Sequence, residues 1–459
     1  MTLEAFCKTP ACFSVALLGF GRANRAVLAW LREHGGTATV YTEAPLPLEI
    51  ENTYAEQGIV FHVGAFPAIF SEQVLVRSPG IRPDIPAILQ SVAAGALLTS
   101  EVELLMSLLP CRCIGITGSD GKTTTTTLTA ALLRAAGHRV WLGGNNGTPL
   151  LPTVSQMRES DIAVLELSSF QLMTVRRAPE VAVITNITPN HLNWHTDMAE
   201  YIAAKCCIFA ADTRLVLNVE NAQTRKIGEG KERAVIFFSS SAKEADFATD
   251  IVADSGAVYA SGNDIVVIEK DARRTFSCLG SFSLPGKHNL ENLLAAIGAT
   301  APFLGDGAPR AALREFRGVA HRLEYVDTVR GVTYYNSSID TSPTRTAAAL
   351  AALGTRPLVI LGGRGKGISF EPLAVALAAH AKAAYLYGEA AGEIAAVLGT
   401  ALPYRSFFGF TDAFLAAAGD AKEGDTVLLS PACTAFGEFR DFEERGEVFC
   451  RLVQGLERK

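Results

Sequence analysis

One segment carries more chemistry than its neighbours: Gly115-Ile116-Thr117-Gly118-Ser119-Asp120-Gly121-Lys122-Thr123-Thr124. It stands between an aliphatic run, Cys113–Ile116, and a stretch of helical spacing that reaches about Ala136, with Gly137 as its stop. A strand-to-helix turn suits phosphate, because glycines let successive N–H groups face one anion and the helix N-terminus adds its dipole. Lys122 supplies a cation for the β- and γ-phosphates, and Thr123 a hydroxyl for Mg2+. The spacing departs from G-x-x-x-x-G-K-[ST] only at the first glycine, which is Thr117 here, two residues after Gly115. The segment reads as a nucleoside-triphosphate site, with Gly118, Ser119, Asp120, Gly121 and Thr124 completing the cradle.

Two further residues fall where a metal would be held. The aliphatic run Ile162–Leu167 carries Glu166 at its end, and a carboxylate level with a phosphate loop suits a hard cation. The next run, Val181–Asn186, leads through Pro189 to His191, a ligand candidate beside that carboxylate. A GTPase would place Asp-x-x-Gly after its next strand, and the sequence offers none there. An earlier cluster, Gly19-x-Gly21-x-x-Asn24, is weaker. It lacks the third glycine of the dinucleotide fingerprint, and Tyr41-Thr42 closes the following strand without an acid. It is either a tight strand-to-helix turn or a seat for a nucleotide diphosphate; NAD is disfavoured.

The elements that must position these residues recur along the chain. A length of 459 residues suits about three domains. Strand and helix alternate from Ser14–Leu18 through a helix from Asn24 to His34 and a strand at Thr37–Tyr41, then again at Val74–Arg77. From about Ala234 to Leu284 short alternating strands with turn signals predict antiparallel hairpins attached to a parallel core. A third α/β rhythm places strands at Val332–Tyr335, Leu358–Leu361, Ala384–Tyr387 and Thr426–Leu429. The joins fall near residues 100 and 318, giving domains 1–100, 101–318 and 319–459.

Composition narrows the class. Hydrophobic residues at 49% and charged residues at 19% exclude a disordered chain. A net charge of −6 predicts no nucleic-acid partner, so any phosphate must be held locally. No apolar run approaches the roughly 18 residues of a membrane span. The first residues show no signal pattern, and nine scattered cysteines without C-x-x-C spacing fit a reduced, cytoplasmic protein.

Taken together, GITGSDGKTTTT, LELSSFQL, NITPNHLNWH, Ala203-Ala204-Lys205, GKHNLEN, His321-Arg322, LGGRGKG and LLSPACTAFGEFRDFEERG resemble the Mur ligases over essentially the whole chain, in the expected order. The tail, Ser430-Pro431-Ala432-Cys433 followed by Phe442-Glu443-Glu444-Arg445-Gly446, is most similar to the branch that adds D-glutamate. The histidine after Thr-Gly that marks the L-alanine-adding branch is replaced by Ser119-Asp120, and the Asp-Asn-Pro-Arg diamino-acid motif is missing. The resemblance implies an α/β fold of three domains: an N-terminal Rossmann-like UDP-binding domain, a central P-loop ATPase-like parallel sheet with a small antiparallel sheet, and a C-terminal Rossmann-like domain. It implies an enzyme of cytoplasmic peptidoglycan precursor synthesis that joins D-glutamate to UDP-N-acetylmuramoyl-L-alanine through an acyl phosphate, acting as a monomer.

By position, the resemblance gives Lys122 and Thr123 to ATP and Mg2+, with two metal sites, and Glu166, His191 and a carbamylated Lys205 to the second metal. Asn292 and Arg322 resemble adenine-nucleotide contacts, with His321 at the hinge, and Asn145 resembles the contact to the muramoyl-peptide. Gly21, Arg22, Ser78 and Gly80 match uridine-diphosphate contacts. Thr341 and Lys366 resemble D-glutamate carboxylate clamps, and Phe442 a wall of that site. Four departures stand out. Asn336-Ser337-Ser338 replaces Asn-Asp-Ser, with Asp340 as a substitute charge; Asn190 replaces an aspartate before His191. Thr42-Glu43 replaces an Asp-Thr pair near uracil, and Ala435 replaces a serine on D-glutamate, with Thr434 as its substitute. Two other readings are a folylpolyglutamate-synthase-like ligase, disfavoured by the complete N-terminal α/β domain, and a non-catalytic nucleotide-binding switch, disfavoured by the intact phosphate-loop and metal residues.

Overall fold

In the computed structural model, residues 2–145, 149–229, 234–241, 255–269, 272–284 and 286–456 are described. The chain divides into two compact units, Met1–Phe316 and Arg317–Lys459. It builds three sheets in the α/β class that the sequence implies.

In the first unit, a five-stranded parallel sheet is formed by β1 (Val15–Leu18), β2 (Thr39–Thr42), β3 (Val60–Val63), β4 (Val74–Arg77) and β5 (Leu97–Thr99), in the order β3-β2-β1-β4-β5. The central strands β1 and β4 are buried along their whole length, as strands covered on both faces must be. β3 is an edge strand whose side chains are mostly exposed although its sequence, Val60-Phe61-His62-Val63, is largely apolar. The helix after β1 runs Arg22–Glu33, two residues earlier than its spacing suggests, because the extended Gly21 serves as its cap.

The same unit holds a nine-stranded sheet: β6 (Arg112–Thr117), β7 (Val140–Gly144), β8 (Ile162–Glu166), β9 (Val181–Ile184), β10 (Arg214–Asn218), β11 (Val235–Ser239), β12 (Gly256–Ser261), β13 (Asp264–Glu269) and β14 (Ala272–Ser277). Its order is β14-β13-β12-β11-β10-β9-β6-β8-β7. The sequence predicts antiparallel hairpins attached to the parallel core, and the attachment is continuous: β11 pairs parallel to both β10 and β12, so main-chain hydrogen bonds carry the hairpins β12–β13–β14 on as the end of the central sheet. Part of that stretch, 242–254, lies outside the described residues.

One apolar cluster runs from Phe6, Val15 and Trp30 through Val102 and Leu105 to Leu165 and Ile184, so the first two sheets share a core. β6 lies between β8 and β9, with Ile116 opposite Glu166 and Thr117 opposite Ile184. That register brings the ends of three strands to one edge, where open α/β sheets bind ligands.

The second unit is a six-stranded sheet of β15 (Glu324–Val329), β16 (Val332–Asn336), β17 (Leu358–Gly362), β18 (Ala383–Tyr387), β19 (Tyr404–Phe407) and β20 (Thr426–Leu429), ordered β15-β16-β20-β17-β18-β19. All pairs are parallel except the β15–β16 hairpin. No helix among the described residues is long and apolar enough to cross a membrane.

Candidate active site

The phosphate loop is shaped by close approach. Gly118 and Gly121 both take positive φ; a Cβ at Gly118 would strike the Thr185 hydroxyl, and one at Gly121 the Asn292 amide. The loop is stitched to the end of β9. Ser119 N–H donates to Asn186 O (2.9 Å), Asp120 N–H to Asn186 Oδ1 (3.0 Å), and the Ser119 hydroxyl to Thr188 O (2.9 Å). Lys122 opens the helix Lys122–Ala135, and its ammonium donates back to Gly118 O (3.0 Å) and Ser119 O (2.9 Å). Thr123 and Thr124 follow, half-buried on the first turn. Asn292 is buried beneath the loop and accepts from the Thr125 hydroxyl (3.2 Å). It braces the phosphate loop, a placement that the expectation of an adenine contact does not include.

Lys205 converges on the same loop. It is buried on the helix Met198–Cys206, and its Nζ donates to Gly118 O (2.7 Å) and lies over the Tyr201 ring. Burial, and secondly the charge of Lys122, pull its pKa down to about 7. Glu166 ends β8 fully enclosed: Oε1 accepts from Asn145 Nδ2 (2.8 Å), while Oε2 is buried with no hydrogen-bond partner. An orphaned carboxylate oxygen is costly unless something occupies it, and a divalent cation fits that vacant acceptor. His191 adopts φ 55°, its N–H accepted by Asn190 Oδ1 (2.9 Å), and its exposed ring meets the Phe170 ring. Burial and then the charges of Lys122 and Lys205 lower its pKa, favouring the neutral imidazole that ligates metals. Among the described residues no three His, Cys, Asp or Glu side chains gather as a metal site. The set expected here contains only two of those types, Glu166 and His191, and needs Lys205 as an oxygen donor to be complete.

A cleft of about 470 Å3 opens beside this edge, and Gly21, Arg22, Ser78, Gly80 and Asn145 all line it. Residues expected at a uridine diphosphate thus share one cavity with the residue expected at the muramoyl-peptide. Asn24, in the third-glycine position, is buried. Its Nδ2 donates to Leu18 O, Gly19 O and Val76 O, fixing the turn rather than facing the cleft. At the end of β2, Thr42 is buried with its hydroxyl on Ala44 O, leaving Glu43 as the exposed member of that pair.

Glu101, also lining the cleft, escapes the sequence reading because Ser100-Glu101 looks like an ordinary helix cap with an acidic first turn. Its carboxyl is buried with Leu151 N–H (3.4 Å) as donor, and burial pushes its pKa up to about 7. The folded state therefore holds this proton more tightly than the unfolded chain, so stability is lost as pH rises from about 4.5 to 7. Glu101→Gln is expected to raise the melting midpoint by a few degrees at pH 8, with the gain shrinking toward pH 5. Scanning calorimetry at the two pH values checks it; an equal shift at both would contradict the burial of a charge.

In the second unit, Lys366 Nζ donates to Thr341 Oγ1 (3.0 Å), so two expected D-glutamate contacts meet although 25 residues separate them. Phe442 begins the helix Phe442–Leu456; its carbonyl accepts from the Ser338 hydroxyl (2.7 Å) and its ring meets His321 edge-on. Arg322 is exposed beside His321. Two substitutes behave differently from expectation. The Thr434 hydroxyl spends its proton on Arg364 O (2.9 Å), and Asp340 is buried with Oδ2 accepting from Ser430 (2.8 Å), so its charge braces the strand ends. Ala435 is buried. Arg445 was not singled out as a site residue. It is fully buried and donates to Ser338 O (3.0 Å), Ser338 Oγ (3.0 Å) and Cys433 O (3.2 Å), tying two loops to the helix Phe442–Leu456.

Two segments of the chain match known protein families. Residues 116–300 match the Mur ligase middle domain, and residues 321–433 match the Mur ligase glutamate ligase domain. The chain belongs to the Mur ligase family. The UDP-N-acetylmuramoylalanine--D-glutamate ligase of Ruminiclostridium cellulolyticum is 36% identical over 99% of each chain. The protein of the same name from Symbiobacterium thermophilum is 38% identical over 96% of this chain and 98% of that one. Among solved structures, the UDP-N-acetylmuramate-alanine ligase of Thermotoga maritima shares the fold, with a TM-score of 0.54 at 18% identity over 96% of this chain and 99% of that one.

Proposed function

We infer that this chain is a ligase that joins D-glutamate to UDP-N-acetylmuramoyl-L-alanine at the expense of ATP, in the making of peptidoglycan precursors. The observation that carries the reading is the bond from Asn145 to Glu166: a residue lining the substrate cleft is tied directly to the strand-end carboxylate beside the phosphate loop. A substrate gripped by Gly21, Arg22, Ser78 and Gly80 and reaching to Asn145 would end at that carboxylate, on the strand paired with the one that leads into the phosphate loop.

Amide formation from a free carboxylate in water is uphill, so the L-alanyl carboxylate needs activation. In-line transfer of the γ-phosphoryl group would give an acyl phosphate and ADP. The amine of D-glutamate then attacks the acyl carbon, loses a proton and expels phosphate. Such transfer depends on positioning and charge stabilisation. Lys122 and the loop N–H groups offset charge on the γ-phosphoryl group, Thr123 and Glu166 suit one Mg2+ each, and Lys205, as a carbamate, and His191 complete the second set. Bound Mg2+ would supply Lewis-acid stabilisation of the phosphoryl and carboxylate oxygens. Thr341 and Lys366 present a hydroxyl and an ammonium to the D-glutamate carboxylate, Phe442 serves as a wall of that site and Arg322 serves the adenine nucleotide, while Asn292 holds the phosphate loop in shape from beneath. On this reading residues 1–100 grip UDP, 101–318 ATP and 319–459 the amino acid, in a cytoplasmic monomer.

Phosphate release is the test. It should require ATP, UDP-N-acetylmuramoyl-L-alanine and D-glutamate together. Release with a folate and L-glutamate would indicate the folylpolyglutamate-synthase-like activity, and ATP binding without release the nucleotide switch.

A further inference from the structure

The turn between β4 and the next helix is held by two arginines, Arg77 and Arg82, that none of the quoted motifs includes. Arg77, the last residue of β4, is fully buried. Its Nη1 donates to Ile81 O (2.6 Å), Pro79 O (3.1 Å) and, at the limit, Ser78 O (3.5 Å); its Nη2 donates to Phe170 O (2.6 Å) and Thr174 Oγ1 (3.3 Å). The remaining carbonyl of the turn, Gly80 O, accepts from Trp194 Nε1 (3.1 Å). Every carbonyl of Ser78–Ile81 is therefore turned to a donor, while the Ser78 hydroxyl is buried without a partner at the cleft.

Arg82 fastens the far end of the turn. Its guanidinium bonds Glu200 (2.7 Å), Asp84 (2.7 Å) and Trp194 O (2.7 Å) and lies over the Trp194 ring at 5.0 Å. Phe170 follows Glu166 by four residues and Trp194 follows His191 by three, so both anchors lie on the segments that carry the strand-edge residues.

Electrostatics gives this arrangement a direction. Carbonyl oxygens free to face a diphosphate would repel it, and here all four are engaged by donors. Among the described residues no carboxylate pairs with Arg77, so its charge is met by neutral carbonyl and hydroxyl oxygens alone. Burial lowers its pKa to about 10, which still leaves it cationic at neutral pH. An unpaired buried charge is costly, and an anion on the other side of the turn would offset that cost.

We propose that Arg77 and Arg82 are positioning residues that mould the Ser78–Ile81 turn into an anion-facing loop and lock it to the segments following Glu166 and His191. The proposal rests on the reading of the cleft as a uridine-diphosphate site. The test is calorimetric titration of the full chain with UDP and, separately, with a non-hydrolysable ATP analogue. Arg77→Met is expected to weaken UDP at least about tenfold and the ATP analogue less than about twofold, with Arg77→Lys recovering part of the loss. A merely structural role would move both affinities together or neither. Should Arg77→Met fail to fold, Trp194→Phe removes the donor to Gly80 O and leaves a smaller ring beneath Arg82, and is expected to weaken UDP about threefold with the ATP analogue unchanged. A wild-type chain that does not bind UDP overturns the cleft assignment. A wild type that binds it no more tightly than the variants overturns the role of the arginines alone.

Discussion

Lys122→Ala is expected to abolish ATP turnover while leaving the melting midpoint within a degree or two of the parent. The side chain is half-buried and lies over its own loop, so its removal opens no core cavity. The chemistry loses the cation placed at the mouth of the phosphate loop. A preorganised charge at such a position contributes on the order of 3–4 kcal/mol to the transition state, or about 10²–10³ in rate. A second loss follows from the convergence of two lysines on Gly118 O. The charge of Lys122 is one of the forces that keep Lys205 short of its proton. Without it Lys205 becomes more basic and less of it is available as free amine. The variant should therefore lose activity by two routes, and added Mg2+ should restore neither. Phosphate release with all three substrates measures the outcome, and turnover within about tenfold of the parent would remove the loop lysine from the mechanism.

How much of this was legible in the sequence depends on the range of the interaction. The phosphate loop is a local device: Gly118, Gly121, Lys122 and Thr123 act through consecutive backbone, so their spacing shows the chemistry. Glu166 could be read because a carboxylate closing an aliphatic strand breaks the pattern of its neighbours. Lys205 could not be read this way. In sequence it is one lysine on an amphipathic helix, and only the resemblance singled it out. Its burial against Gly118 depends on packing across 87 residues. Arg77 shows the same limit from the other side. A charged residue ending the apolar strand Val74–Arg77 was visible, yet its purpose lies in carbonyls of its own turn and in Phe170, 93 residues away.

The departures sort in the same way. Thr434 and Asp340 are chemically suited to replace missing family residues. Nothing in the sequence shows that the hydroxyl of one is committed to Arg364 O or that the carboxylate of the other is buried on Ser430. Likewise, the hairpin signals between Ala234 and Leu284 were local and correct for β12–β14. The parallel pairing of β11 on either side of itself was non-local, and it decides that there is one central sheet.

Lys205→Ala carries the second large effect, because it separates a chemical role from a packing role. As an ammonium, Lys205 would sit beside Lys122 and repel any cation; as a carbamate it becomes an anionic oxygen donor. The conversion balances simply: the free amine attacks CO2, an N–C bond forms, and one proton leaves to solvent. With its pKa pulled down to about 7, a substantial fraction of the amine is unprotonated at neutral pH, which is what that addition requires. Alanine removes the donor to Gly118 O and leaves a space where the aliphatic stem was, so some loss of stability is expected as well. Lys205→Met refills that space without the amine. Both variants should lose at least about a hundredfold in kcat, and short carboxylates such as acetate should restore part of the activity only in the alanine variant, which has room for them. A readout independent of turnover is the carbamate carbon itself. With 13C-labelled bicarbonate, the parent should show its NMR signal and both variants should lack it. A parent without that signal, or an alanine variant at full activity, would leave Lys205 as a buried brace for the phosphate loop and nothing more.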